Sequence, residues 1–276
     1  MHYFPVMPMT VAFLQLTLGL YFIGVLLSLA YLLRRSESLA RVALAATCLG
    51  FAIHSVVLAV EVFSGDEAQW VTFQKALSFF SWSLVLVFLL VVLLQRLYVL
   101  GAFMLPIAFF SLVSTAILPS ETPVLQPMFG AMWVHVTLSM LGAVGFAVAF
   151  AAGVMYLMQD RLLKSKQFNV LSFKLPPLDF LDTLNQRSML LGFPFLTLGI
   201  LTGAMSAQLT LGSYVSWNPE QIWALVTWVF YFVVLMGRVT VGWRAKKAAY
   251  LTIVGFAGVI LTFLGVVLKG GGAPIS

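Results

Sequence analysis

Residues 70–94 read WVTFQKALSFFSWSLVLVFLLVVLL, with Lys75 as their only charged side chain. A helix of this length rises about 37 Å at ~1.5 Å per residue, more than the roughly 30 Å of hydrocarbon in a bilayer. The apolar residues come as a continuous run and not in the alternating order of a barrel strand, so the segment reads as a membrane-spanning helix. Seven further runs flank it, at roughly 10–33, 40–62, 99–118, 129–158, 188–209, 219–241 and 249–268. Gly101 and Pro106 interrupt the fourth run, and only a very short loop at Gln95 and Arg96 leads into it. Composition agrees: 62% of the 276 residues are hydrophobic and 9% charged, against about half and about a quarter in a soluble domain. The expectation is an all-α, polytopic integral membrane protein of about eight transmembrane helices, one domain over residues 1–276. No cleavable leader is expected, because the N-terminus lacks a basic region and the run from Val11 is long enough to span.

Charge sets the orientation. The first loop carries Arg34, Arg35 and Arg41, the third Arg96, and the fifth Arg161, Lys164, Lys166, Lys174 and Arg187. The seventh carries Arg238, Arg244, Lys246 and Lys247, so thirteen of the fifteen basic residues fall on one side. The positive-inside rule makes that side cytoplasmic and puts both termini outside. The same distribution removes nucleic acid as an explanation of the net charge of +6, since the basic residues sit in short loops between apolar runs. Residues 159–187 form the longest polar piece; Pro176-Pro177 breaks it, and Leu178, Leu181 and Leu184 follow at helical spacing. That pattern predicts a short amphipathic helix on the cytoplasmic surface before the sixth span.

On the outer side lies LGSYVSWNPEQIWALVTW, residues 211–228, which gathers Tyr214, Trp217, Trp223 and Trp228. Asn218 suits an N-cap, Pro219 a first helical position, and Glu220 the positive end of a helix dipole, so a helix starts at about Pro219. An interfacial belt accounts for one or two such rings; four beside a helix N-terminus suit a flat, apolar, anionic ligand. His54 lies deep in the second span, where an ionisable group is costly; a functional role and a neutral imidazole bonded to a neighbouring helix both remain open. His135 lies near the outer end of the fifth span, on the side of the tryptophans. The stripe Gly142, Gly145, Ala149 and Gly153 allows close helix packing. Cys48 is the only cysteine, which leaves no internal disulfide and no thiol redox pair. Gly-rich phosphate loops, HExxH and Ser-x-x-Lys are absent from the sequence.

Three stretches resemble the cytochrome c assembly family, in its CcsA/HemX-like branch. They are HVTLSMLG from His135 on to GFAVAFAAGVMYLMQDRLLKSK, the run LPPLDFLDTLNQRSMLLGFPFLTLGILTGAMSAQ, and GSYVSWNPEQIWALVTWVFYFVVLMGRVTVGWRAKKAAYL. The resemblance covers most of residues 45–268. It implies a haem-handling membrane protein of cytochrome c assembly that presents haem b on the outer face, with a ResB-like membrane partner and apocytochrome c. It implies a multi-pass protein of the inner (cytoplasmic) membrane that is at most the haem-presenting part of a cytochrome c synthase complex. The alternative it offers is a HemX-like non-enzymatic membrane regulator or scaffold of tetrapyrrole or cytochrome biogenesis. By position, His54 resembles a family histidine within the membrane, His135 the outer histidine, and Trp217, Pro219 and Trp223 the Trp-rich loop. The family pattern has Asp, Lys and Glu where this chain has Asn218, Glu220 and Gln221. It also has a second membrane histidine in the seventh span, where Met236 and Arg238 stand nearest, and a further outer histidine near the C-terminus that has no counterpart here. The expected haem contacts therefore lie at two separate levels. His135 stands with Tyr214, Trp217, Trp223 and Trp228 at the outer face. His54 lies deep in the bundle, with Met236 either its thioether partner of the His/Met type or a side chain that fills a packing gap.

Overall fold

A computed structural model describes residues 6–34, 36–63, 72–117, 129–165, 175–215, 217 and 219–270. Eight helices run in order: α1 Val6–Leu33, α2 Glu37–Phe63, α3 Phe73–Gln95, α4 Gly101–Ile117, α5 Phe129–Lys164, α6 Leu178–Leu211, α7 Pro219–Met236 and α8 Ala245–Gly270. All eight are long and apolar enough to cross a membrane, α4 together with the 3₁₀ turn Tyr98–Leu100 that precedes it. The protein is thus a polytopic helical membrane protein. The basic connections 34–36, 95–97 and 242–244 share one end of the bundle, called the arginine end below; the connection 212–218 lies at the other, the tryptophan end.

Local chemistry explains the boundaries. Thr72 caps α3, its Oγ1 accepting the Lys75 N–H at 3.3 Å, as a side-chain oxygen must where the first turn has orphan donors. The helix stops at Arg96, whose φ of 55° is left-handed and whose N–H closes onto the Val92 carbonyl; two residues later the chain re-enters the membrane. Pro106 sits inside α4 without breaking it. Pro219 starts α7 as expected, whereas the expected N-cap Asn218 lies outside the described residues, as do Arg35, Lys166 and Lys174.

One expectation is corrected. Leu178–Arg187 is not a separate surface helix: it forms the first turns of α6, which continues unbroken to Leu211. Pro177 holds an extended backbone (φ −55°, ψ 149°) at the N-cap, and past it nothing breaks the helix. Leu181 is fully buried, and Leu178 and Leu184 pack against the same core. The leucine stripe that suggested a membrane surface faces the bundle instead.

The helices form two rings of four. α1 packs on α2 and α4, and α3 packs on α2 and α4; α5 packs on α6 and α8, and α7 packs on α6 and α8. Contacts of α5 with α3 and α4 join the rings. Lipid tails are as apolar as leucine, so burial alone does not drive such association; close backbone approach and interhelical hydrogen bonds do. The α5–α6 seam is built that way. A Cβ on Gly145 would lie 2.7 Å from the Gly192 Cα and 2.9 Å from the Ser188 carbonyl oxygen, and one on Gly142 would lie 2.8 Å from the Leu196 nitrogen. Gly153 continues the stripe against Ala249 and Thr252 of α8. Across the second ring, Phe146 of α5 stacks on Tyr231 of α7 with centroids 3.7 Å apart.

Candidate functional site

At the tryptophan end, α6 closes on Gly212 in the left-handed conformation, its N–H bonded to the Gln208 carbonyl. Ser213 then folds back on the next residues: its Oγ donates to the Val215 carbonyl at 2.9 Å and accepts from the Val215 N–H at 3.4 Å. Trp217 follows with φ of 54°, a left-handed backbone that disfavours a side chain with a Cβ. Its indole is 74% exposed, and the Tyr214 ring and the Trp223 indole are exposed as well. These three rings stand together by position at one end of the bundle. Trp228 does not join them. It lies about 14 Å from the start of α7 and about 7 Å beyond Trp223 at ~1.5 Å per residue, half-buried, and stacks on both Phe193 and Phe232 with centroids at 5.5 Å. Its Nε1–H donates to Thr197 Oγ1 at 2.9 Å, so it fastens α7 to α6.

His135, in the second turn of α5, is half-buried against α6. Two glycines of α6, one turn apart, make its seat. Gly203 has no side chain where the imidazole lies: a Cβ there would come 2.6 Å from Cε1. The Gly199 carbonyl accepts the Nδ1–H at 2.7 Å. A carbonyl can only accept, so Nδ1 carries the proton and Nε2 the lone pair. Nε2 has no hydrogen-bond partner among the described residues. The second donor to the same carbonyl is Thr202 Oγ1 at 3.0 Å, a hydroxyl also directed at the Leu198 carbonyl at 2.8 Å.

His54 is arranged differently. It is 0% exposed and sits between α1 and α3. Gly50, one turn before it on α2, lets the Tyr21 ring approach, since a Cβ there would meet that ring at 2.9 Å. The approach brings Tyr21 Oη to 3.2 Å from His54 Nδ1 while Ser78 Oγ lies 2.9 Å from Nε2. Either tautomer satisfies both contacts, with one hydroxyl donating and the other accepting. Both ring nitrogens are therefore engaged, and no lone pair is offered to a metal. The structure does not bring His54 and His135 together. Nor does it bring Met236 to His54: Met236 ends α7 near the arginine end and is 41% exposed, and α7 packs on α6 and α8 while α2 packs on α1 and α3.

Sequence reading missed one polar cluster. Arg238, counted above as a loop cation, is 4% exposed within the π turn Gly237–Val241. Its Nη2 donates to Asp182 Oδ1 at 3.1 Å and to Asn185 Oδ1 at 2.5 Å. Asn185 Nδ2 in turn donates to the Ala149 carbonyl at 2.7 Å and to Thr252 Oγ1 at 2.9 Å. One cluster thus ties α5, α6, α7 and α8. The signal was present: an arginine inside the apolar run VVLMGRVTVGW, with Asp182, Asn185 and Gln186 on one face of the preceding helix.

The comparisons with known proteins agree with this architecture. The sequence profile of the Cytochrome C assembly protein family matches residues 43–272. A "Cytochrome c biogenesis protein CcsA" from Guillardia theta is 32% identical over 219 residues, covering 72% of this chain and 73% of that protein. The protein of the same name from Chlamydomonas reinhardtii is 35% identical over 164 residues, covering 58% of this chain and 45% of its own length. That from Trichodesmium erythraeum is 47% identical over 92 residues, covering 33% and 26%. The matched parts thus span most of the first relative and less than half of the other two. Among solved structures, the "Cytochrome c Heme Lyase CcmF" superposes with a TM-score of 0.68 over 99% of this chain and 51% of that one. At 20% identity this is a likeness of fold. With a profile match over residues 43–272 and this relative in Guillardia theta, the chain belongs to the cytochrome c assembly protein family.

Proposed function

We propose that the chain handles haem in cytochrome c biogenesis, holding it at the tryptophan end with His135 Nε2 at the iron. Membership of the family supports the role in assembly. The observation that carries the site is the bond from His135 Nδ1–H to the Gly199 carbonyl. A histidine that ligates a metal donates its other ring N–H to an oxygen, which orients the ring and makes it a better base. The donor set fits a haem: one neutral imidazole with a directed lone pair, and Tyr214, Trp217 and Trp223 at the same end to cover an apolar macrocycle. When bound, the haem supplies the iron and the vinyl carbons; this chain's own residues hold and orient it and exclude water. The sequence has one cysteine, Cys48, within α2, so the group is held by coordination and packing, as haem b, for delivery to an apocytochrome c. The basic connections support an arrangement in the inner (cytoplasmic) membrane with the tryptophan end outward, beside a ResB-like membrane partner.

The test is a visible spectrum of the detergent-purified protein, oxidised and reduced, for wild type and His135→Ala. Co-purified haem with an imidazole-ligated spectrum is expected for the wild type, and its loss for the variant. Wild-type protein that neither carries nor takes up haem would overturn the reading. A HemX-like regulator or scaffold would then be favoured, a reading that already has one observation behind it: the enclosed His54 has both nitrogens occupied by Tyr21 and Ser78.

A further inference from the structure

We propose that the Gly199 carbonyl and the bare face of Gly203 are the positioning elements of the His135 site, fixing the tautomer that offers Nε2 to iron and lending the ring imidazolate character. This rests on the reading of His135 as an iron ligand and adds how that ligand is held and tuned. The argument begins with packing. Gly199 and Gly203 are one helical turn apart on α6, on the face that meets α5, where a Cβ on Gly199 would lie 2.6 Å from Ser139 Oγ and one on Gly203 2.6 Å from the His135 ring. At Gly203 the missing side chain is the space the imidazole fills. The ring is thereby pressed along α6 until Nδ1 meets a helix carbonyl at 2.7 Å. That carbonyl belongs to residue 199, so within α6 its natural donor is the N–H of residue 203, four positions on. It therefore serves the helix and the imidazole, and it shares with the Leu198 carbonyl the single proton of the Thr202 hydroxyl, at 3.0 Å against 2.8 Å.

Two consequences follow. The bond removes the other tautomer, in which Nε2 would carry the proton and could not ligate. It also draws the Nδ1 proton toward oxygen, which raises the electron density at Nε2 and favours ferric over ferrous iron. Because Thr202 Oγ1 competes for the same oxygen, its removal should strengthen the imidazole bond.

The experiment uses the full-length protein in detergent, titrated with haem and then poised against redox mediators. His135→Gly opens the seat, and haem affinity is measured with added imidazole or 1-methylimidazole. Imidazole, which can donate to Gly199, should restore binding about five- to tenfold better than its N-methyl form, the weight of one neutral hydrogen bond. It should also give the lower midpoint potential, after correction for the two haem complexes free in solution. Gly203→Ala should weaken haem binding about tenfold and shift the spectrum toward high spin, although alanine is the better helix former. Thr202→Val should leave affinity near wild type and lower the midpoint potential. Equal rescue by the two imidazoles, with Gly203→Ala and Thr202→Val unchanged in spectrum and potential, would overturn the positioning role while leaving His135 a ligand. Undiminished haem binding in His135→Gly without any added base would instead overturn the ligand reading itself.

Discussion

Two tyrosines, both fully buried, show how much a single hydroxyl depends on its neighbour. Tyr21 Oη meets His54 Nδ1; Tyr231 Oη is buried with no hydrogen-bond partner among the described residues. A buried polar group left without its partner costs about 1–3 kcal/mol, whereas removing an unpartnered one costs little. Tyr21→Phe is therefore expected to lower unfolding free energy by about 1–3 kcal/mol, because it strands an imidazole nitrogen. Tyr231→Phe keeps the stack on Phe146 and is expected to be neutral or mildly stabilising. Denaturant unfolding in detergent, followed by circular dichroism, measures both; equal losses in the two variants would refute the contrast. His54 itself reads best at this scale as the hydrogen-bonded centre of the α1–α2–α3 junction.

Between helices, the decisive residues are those that let backbones touch. Gly145 faces the Gly192 backbone, which cannot move aside, whereas a Cβ on Gly19 would meet nothing within 4 Å. Gly19→Ala should therefore be neutral or stabilising by up to about 1 kcal/mol from helix propensity alone. Gly145→Ala should lose stability by about 1–3 kcal/mol despite the same propensity gain, through separation of α5 from α6. The ion pairs divide in the same way. Arg238 and Asp182 meet at 3.1 Å with the arginine side chain almost wholly enclosed; Glu37 and Arg41 meet at 3.2 Å with both side chains largely in solvent. Breaking a buried pair strands its partner and costs about 3–5 kcal/mol, while exposed pairs are often worth nothing measurable. Arg238→Ala is thus expected to destabilise the second ring severely and Arg41→Ala hardly at all, with thermal melts as the readout. A charge-reversed Arg238→Asp/Asp182→Arg protein that melts above either single variant would confirm that the pair acts as a unit.

For the whole molecule, the eight spans among the described residues return the chain to the side from which α1 starts, so the start of α1 and the end of α8 share a side with the tryptophan end. The expectation from the positive-inside rule, that the opposite, arginine end is cytoplasmic, can be tested directly. In a Cys48→Ala background, a cysteine at Ser213 should react with an impermeant maleimide added to intact cells, and one at Ser165 only after the membrane is opened. Both side chains are solvent-exposed, so failure to label reports sidedness. Labelling at Ser165 and not at Ser213 would invert the topology and move the haem site proposed here to the other face.

The number and class of the helices were legible in the sequence because they depend on local quantities; their ends were only partly so, since α6 begins at Leu178, ten residues before the expected span. Run length against bilayer thickness gave eight spans, and Pro219 gave the start of α7. The glycine stripe of α5 likewise announced close packing, since small residues at that spacing serve little else in a membrane helix. What lay beyond reach was the partner each side chain would meet. Trp217 and Trp228 are eleven positions apart in one Trp-rich stretch, yet one projects from a left-handed turn and the other binds Thr197. The leucines after Pro177 fit a membrane surface as well as a bundle core, and only the packing of α6 chose the core. Arg238 looked like one more loop cation until Asp182 and Asn185 came beside it. The two histidines carry the clearest lesson: only tertiary contacts, Tyr21 and Ser78 for one and the Gly199 carbonyl for the other, decide which imidazole keeps a lone pair free. Hydrogen-bond partners more than twenty residues apart in sequence leave no local trace, because their meeting is a property of the assembled bundle.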